Sequence, residues 1–352
     1  MRNFIWVLLG LGFSSQSVAI DFKPFVEFSS FSHSEPIAVH AILNDWDAPL
    51  TKGKVAFSLN RAEVGIGIEE WQFSVFERQD YLFEFTSDSA KLLYQTNNEQ
   101  DFTVGEQYDL DLKTKAFIAR GLKLGYQKPF AGFNIGLAIS YFEGLDITDG
   151  SITGQATATA NNQLNFDFDV DYYYTEDTLF ERNIASKPKG NGYGLDLSVD
   201  GFILPSWHTH LKVQDLFAHI HWWDTPRTIA QGKYIGEDVQ DLGKAPVTGI
   251  ELNNDHIQHI PTKVFWYNQY QLSRQHFILA DYYDYSVKQF YSIGYRFVSD
   301  RQSKIDVLYN ATAQAWQVGY MNNWLQLNLI SDQLEFEKAR TLGINLALNY
   351  KF

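Results

Sequence analysis

The chain has 352 residues, no cysteine, 2 methionines, and 42 acidic residues against 28 basic ones, which give it a formal net charge of -14. This acidic balance argues against nucleic acid as a partner, because binding to nucleic acid needs a basic face. Without cysteine, disulfide bonds cannot stabilise the fold. Aromatic residues make up 16% of the chain, an excess typical of membrane barrels with aromatic girdles at both interfaces.

Residues 1–19 have the pattern of a secretory signal peptide. Arg2 supplies a positive charge, an apolar run extends from Phe4 to Phe13, and Ser17 to Ala19 form a small-residue cleavage site. No later stretch reaches the roughly 18 uninterrupted apolar residues of a membrane helix. An exported chain without such a helix is either soluble or inserted as a closed barrel, since only helices and closed barrels satisfy their backbone in lipid.

Residues 20–52 precede the first clear strand. Four phenylalanines recur at every third position early in this segment, and Pro36 and Pro49 follow. We predict that the segment plugs the lumen or lies below it on the periplasmic side, with a flexible lead-in as an equal alternative. Residues 53–352 are then the outer-membrane barrel.

Alternation of apolar and polar residues fills most of the barrel region and predicts about sixteen strands, with fourteen or eighteen also compatible. The predicted strands are 55–59, 64–68, 71–86, 108–127, 132–143, 147–160, 164–174, 192–202, 207–214, 263–272, 276–283, 288–298, 304–309, 313–321, 324–330 and 341–352. The fold class is all-β, a transmembrane antiparallel up-and-down β-barrel. Irregularities are expected at 77–80 and near Arg120, and a capped short helix is expected at 87–94.

The connections between these strands differ in length in a regular way. If the last strand ends in the periplasm, the longer connections 87–107, 175–191, 216–262 and 331–340 all fall on the outside. The connections between them are tight, among them Asn161 with Asn162 and Asn322 with Asn323. Long outer loops and short periplasmic turns are the pattern of outer-membrane barrels.

The C-terminal strand has one wholly apolar face that ends on an aromatic residue. The residues on this face are Leu342, Ile344, Leu346, Leu348, Tyr350 and Phe352. The pattern resembles the C-terminal sorting strand of Gram-negative outer-membrane β-barrels; a half-buried edge strand of a soluble sheet is the alternative. The resemblance implies outer-membrane lipid and the barrel assembly machinery as partners, with Ile344, Leu346, Leu348, Tyr350 and Phe352 as the assembly signal.

The candidate site residues are polar side chains that alternate with apolar ones along three strands. They are expected to face the lumen while their apolar neighbours face lipid. These residues are Asp167, Asp169 and Asp171 on one strand, Asp196 and Asp200 on the next, and His208, His210 and Lys212 on a third. With the first two strands paired, five carboxylates form one inner wall and favour cations. A metal site is conceivable at the two histidines, but a structural charge ladder is the favoured interpretation, and no metal or cofactor is predicted.

Sequence motifs give little support for catalysis, because the chain has no GxSxG elbow, HExxH, Walker loop or Rossmann fingerprint. Asp281, Asp284 and His276 are the candidate residues of a barrel-embedded hydrolase, the third hypothesis. The leading hypothesis is a pore or facilitated transporter for a small solute. A closed barrel that binds partners through its outer loops is the alternative.

Short motifs between residues 192 and 222 add a further resemblance. Gly192 to Leu197, Val213 to Phe217, and His221 with Trp222 look like a strand pair of TraF-like and FadL-like outer-membrane proteins. The resemblance implies a barrel whose N-terminal segment reaches the lumen, and sometimes a conduit for hydrophobic solutes. The resemblance therefore adds hydrophobic compounds to the small solutes expected for this chain.

Overall fold

A computed structural model describes residues 22–349 except 45, 181, 185 and 239–246. The predicted signal peptide, residues 1–19, lies outside the described residues, as do Tyr350 and Phe352 of the assembly signal. Within the described ranges, no helix is long and apolar enough to cross a membrane.

The described chain consists of sixteen strands and two α-helices. The strands are β1 (Phe22–Ser34), β2 (Val55–Ile68), β3 (Trp71–Phe85), β4 (Gln107–Phe130), β5 (Phe133–Ala160), β6 (Gln163–Tyr174), β7 (Lys189–Leu204), β8 (Trp207–Asp238), β9 (Val247–His259), β10 (Lys263–Gln271), β11 (His276–Asp284), β12 (Gln289–Val298), β13 (Lys304–Asn310), β14 (Ala315–Met321), β15 (Leu325–Ser331) and β16 (Thr341–Asn349). The helices are α1 (Val39–Leu43) and α2 (Ser87–Asn97), and Phe336–Lys338 form a short 3-10 turn.

The strands close into an antiparallel barrel of fourteen positions. β16 pairs with both β15 and β1, which closes the ring. Two positions each hold two collinear strands: β6 and β7 lie end to end between β5 and β8, and β9 and β10 lie end to end along β8. The predicted all-β barrel and the count of about sixteen strands are confirmed, although β6 and β9 extend the wall without adding ring positions. We call the end where β1 begins and β16 ends the proximal end, and the opposite end the distal end.

The prediction of a plug or lead-in at 20–52 is wrong for Phe22–Ser34, which is a wall strand paired with β2 and β16. A phenylalanine at every third position fits neither a strand nor a helix period, which concealed the strand in the sequence. The predicted outer loop 216–262 is also wrong in large part, because β8 continues to Asp238 and β9 returns along it. Because β5 runs as one strand from Phe133 to Ala160, the turn at Asn161 and Asn162 lies at the distal end rather than the proximal one.

The wall rises beyond the barrel at the distal end because β5 has 28 residues and β8 has 32, against 13 in β1. One face of this extension buries Tyr108, Leu110 and Leu164 against Leu92 of α2. The predicted helix is confirmed, with Thr86 as the N-cap residue that accepts a hydrogen bond from the Ser89 N–H.

Two local features lie along β4 or just ahead of it. The irregularity expected near Arg120 is confirmed as a register shift between Ile118 and Ala119, where β5 contains one extra residue. Lys91 of α2 donates to Glu106 ahead of β4, and this hydrogen bond, together with one from Tyr108, lowers the pKa of the Glu106 carboxyl. The helix is thus tied to the strand that it covers.

The outer surface of the barrel is an apolar belt. Large side chains on many strands are more than half exposed there, among them Leu122 (60%), Ile139 (56%) and Val318 (53%). Their neighbours in sequence point to the opposite face, as alternation requires. The belt is the surface that meets lipid in a transmembrane barrel.

Lysine in place of Val318 on β14 is expected to lower the free energy of unfolding by about 2–4 kcal/mol if it lies near the bilayer midplane. Gln317→Lys is the matched control, since Gln317 precedes Val318 in the same strand and lines the lumenal cavity. Urea unfolding of both variants in lipid vesicles measures the difference. An equal loss of stability in the two variants would contradict the assignment of the faces.

Candidate functional site in the lumen

The lumenal wall receives five of the predicted site residues. His208 and His210 each place a ring nitrogen 3.3 Å from Asp200 Oδ2, so this carboxylate lies between two imidazoles. Asp196 is 8% exposed, and its carboxylate lies 2.9 Å from Lys123 Nζ. Both histidines and Lys212 line a cavity of about 540 Å³ inside the barrel.

The predicted wall of five carboxylates is not formed. β6 and β7 do not pair, because β5 is long enough to pair with both of them in succession. Asp167, Asp169 and Asp171 lie on β6 in the distal extension, where they pair with the cations and amide of β8: Lys233 at 3.5 Å, Gln231 at 2.6 Å and Arg227 at 2.7 Å, respectively. The apolar face of β6, expected to meet lipid, is instead buried, with Val170 2% and Tyr174 0% exposed. Cation selectivity remains a prediction that rests on Asp196 and Asp200 alone.

Three cavities follow one another through the lumen. The proximal cavity, about 490 Å³, and the central one, about 540 Å³, share Glu27, Glu63 and Lys212 in their walls. The central cavity shares nine wall residues with a third cavity of about 260 Å³ on its distal side. We call the central and third cavities together the chamber. Its shared wall residues are Ser29, Arg61, Gln214, Phe265, Tyr267, Gln317, Gln326, Asn328 and Asn345.

Charged groups of the chamber wall form ion pairs with one another. Arg61 lies 2.8 Å from Glu63, and Arg296 lies 2.6 Å from Asp306. Arg296 also donates to Gln269 at 2.6 Å. Pairing of this kind offsets the cost of placing charges in a narrow, partly dehydrated lumen.

A buried network of four charged residues forms part of the chamber wall. Arg78 donates two hydrogen bonds to Asp215, of 2.8 and 3.0 Å, and two to Asp80, of 2.6 and 3.4 Å. Lys263 donates to Asp80 at 3.1 Å and to Asp215 at 2.9 Å. All four side chains are at most 10% exposed. The network links β3 to β8 and β10 across the lumen, because Asp215 adopts a positive φ of 60° that turns its side chain inward.

At Asp215, side chains form hydrogen bonds with the backbone of β8. The Asp215 N–H donates to Asp196 Oδ1 at 3.1 Å, and the Asp215 carbonyl accepts from Thr262 at 3.2 Å. Regular pairing of β8 with its neighbours resumes on the distal side, at His219 opposite His259. The hydrogen bonds that the ladder loses here are thus replaced.

Aromatic side chains close the distal end of the chamber. Phe57 and Phe290 are 4% and 0% exposed, and Phe31 is stacked on Tyr285 with ring centroids 5.1 Å apart. A second apolar cluster, which contains Phe76, Phe117, Phe142 and Trp222, lies beside them between β3, β4, β5 and β8. The indole of Trp222 fits only because Gly144 lacks a side chain, since a Cβ there would lie 2.5 Å from the ring.

The structure offers little for metal binding or catalysis. No group of three or more His, Cys, Asp or Glu side chains in the described ranges could hold a metal ion. Asp281 accepts from Tyr283 at 3.0 Å and lines the chamber, whereas His276 bonds to Tyr295. Alternation places His276 and Asp281 on opposite faces of β11, so they do not act together.

Comparison with known proteins gives structural similarity only. No protein-family model and no curated protein matches the chain. Among solved structures, a TodX deltaS2S3 mutant monoaromatic hydrocarbon channel has a TM-score of 0.46 at 8% identity, covering 95% of this chain and 90% of that one. The P. putida toluene transporter TodX has a TM-score of 0.42 at 8% identity, covering 96% and 91%. A Pseudomonas aeruginosa FadL homologue has a TM-score of 0.41 at 10% identity, covering 95% and 91%.

Because the TM-scores lie below 0.5, the architecture of the chain rests on its own strand pairings.

Sequence reasoning missed two groups of side chains in the chamber wall. The stretch 77–80 was expected to be irregular, but β3 runs through it, and Arg78 and Asp80 point inward to the ion network. The amides of β14 to β16 were also missed, although each lies between two apolar residues of its strand. That alternation was the signal that could have identified them.

Proposed function

We propose that the chain is an outer-membrane channel that carries a small solute through its lumen. The observation that carries the proposal is the series of three cavities, which share wall residues from the proximal end to the aromatic side chains at the distal end. A barrel that served only as a scaffold would have no need of a series of internal cavities that share wall residues. Polar and charged side chains contribute a large part of the lining of these cavities, among them Glu27, Glu63 and Lys212, while the apolar belt faces out.

Orientation and export complete the proposal. An N-terminal signal peptide directs export, and the barrel assembly machinery recognises the C-terminal strand. The proximal end then faces the periplasm, and the distal extension rises above the outer surface. The hydrocarbons named for the similar structures are one class of solute that can be tested.

A cysteine introduced into the chamber tests the route directly, because the chain has none of its own. The Gln317→Cys variant is reconstituted in proteoliposomes and labelled with a bulky maleimide. Labelling should abolish most of the passage of a small solute, since Gln317 lines both cavities of the chamber. Asp169→Cys is the control, because Asp169 lies in the distal extension and is exposed. Its labelling should leave passage unchanged.

A closed scaffold is the competing function, favoured by the buried aromatic side chains at the distal end. If neither the wild type nor a variant opened at those side chains passes any solute, the scaffold is the better account. Passage that persists after complete labelling of Gln317→Cys would also overturn the proposed route.

A further inference from the structure

Five carboxamide side chains face the chamber and have no hydrogen-bond partner anywhere in the described part of the chain. They are Gln214, Gln317, Gln326, Asn328 and Asn345, and each lines both cavities of the chamber. A carboxamide offers two N–H donors and an oxygen acceptor without carrying a charge. The chamber therefore presents a concentrated, neutral hydrogen-bonding surface to its contents.

The amides lie on two sides of the space. Asn328 of β15 and Asn345 of β16 are direct cross-strand partners, and Asn345 is in turn opposite Ser29 of β1. This row contributes adjacent donors and acceptors on one wall. Gln214 belongs to β8, six ring positions from β15 in a ring of fourteen, and so projects from nearly the opposite wall.

The wall that the two cavities of the chamber share carries one charged residue, Arg61, and its charge is paired. Arg61 is paired with Glu63, and Arg296 with Asp306. Groups already held at 2.6 to 2.8 Å from an opposite charge have little capacity left for a ligand ion. Glu27 and Lys212 line the proximal side of the chamber, so in the shared wall the hydrogen-bonding capacity that remains free is mainly that of the neutral amides.

Aromatic rings complete the wall. Phe265 and Tyr267 of β10 line both cavities beside the amides. A ring of this kind packs against C–H groups, while amides bond to neighbouring hydroxyls. A chamber of this composition suits a solute that has both, and its volume lies within the usual range for sites of small molecules.

We infer that the chamber selects a neutral, polyhydroxylated solute of the size of a monosaccharide. This inference rests on the proposed function and specifies its substrate class. A hydrocarbon in the same place would displace water from five amides without replacing its hydrogen bonds, which lowers affinity. A site that bonds to hydroxyl groups discriminates strongly against molecules that lack them.

Liposome swelling with two solutes of similar mass tests the inference. Arabinose carries several hydroxyls, whereas triethylene glycol carries only its two terminal ones. The wild-type barrel should admit arabinose faster than triethylene glycol. The double variant Gln317→Met with Asn345→Leu, similar in volume but without the amides, should lower the ratio of the two rates roughly tenfold, since each lost hydrogen bond weakens recognition of the sugar.

Gln333→Met is the matched control, because Gln333 is an exposed carboxamide at the distal end outside the chamber. It should leave the ratio unchanged. Equal rates for the two solutes in the wild type, or an unchanged ratio in the double variant, would overturn the saccharide inference and leave the channel intact. Only if no solute passes, even through a barrel opened at its distal side chains, do the inference and the proposed function fail together.

Discussion

Arg78→Met is expected to lower the free energy of unfolding by about 3–5 kcal/mol, because it leaves two buried carboxylates with one cation between them. Asp80 and Asp215 would then share Lys263, which lies 3.1 and 2.9 Å from them. Their mutual repulsion in a site shielded from water adds to the lost hydrogen bonds. Urea unfolding in vesicles, or the temperature at which the folded band disappears in gel electrophoresis, measures the effect.

A compensating variant separates charge balance from packing. Arg78→Met with Asp80→Asn leaves Asp215 paired with Lys263, so a substantial part of the lost stability should return. Arg120→Met is the control for removal of an arginine. Arg120 pairs with Glu143 at 2.7 Å on the exposed face of the wall, so its loss should change stability little. If the double variant were no more stable than Arg78→Met, the network would not be held by charge balance.

Much of the barrel follows from local alternation. In β14, β15 and β16 the apolar residues at every second position predict both the strands and the face that meets lipid. The C-terminal strand indeed closes the ring, since it pairs with β15 and β1. Its role as an assembly signal remains a prediction.

The collinear strands could not be deduced from local patterns. β5 was read as two strands, 132–143 and 147–160, because the extra residue beside Asp146 interrupts the alternation. Once β5 is one strand of 28 residues, it has room for both β6 and β7 along the same edge. The position of three predicted site residues, Asp167, Asp169 and Asp171, depends on this tertiary arrangement.

Asp215 shows a second limit of sequence reasoning. Nothing in the stretch Val213 to Phe217 marks a residue with positive φ, yet this conformation brings the carboxylate to Arg78, 137 positions away in the chain. An ion pair between residues so distant in sequence is visible only when the barrel has closed. Charged residues in the middle of β3 therefore resembled a break in the strand.

Opening the distal constriction should have the largest effect on passage. Phe31 and Tyr285 are stacked at 5.1 Å and line the distal part of the chamber, and both are only partly buried. The variant Phe31→Ala with Tyr285→Ala removes this stack while the fully buried Phe290 and Phe57 keep their places. In planar bilayers, single-channel conductance should rise several-fold over that of the wild type, because the narrowest part of a pore limits its current.

Two controls make this result decisive. Phe73→Ala removes a ring of the same kind from the lipid face of β3, where Phe73 is 46% exposed, and should leave conductance unchanged. Labelling Gln317→Cys in the opened barrel should suppress the new current, because that side chain lies in the chamber on the route to the constriction. If conductance stayed at the wild-type level in the doubly substituted barrel while the protein remained folded, the aromatic stack would not be what limits passage. The second cluster around Trp222 would then be the place where the lumen is closed. It lies at the same end, and Gly144, which has no Cβ, leaves room for the indole.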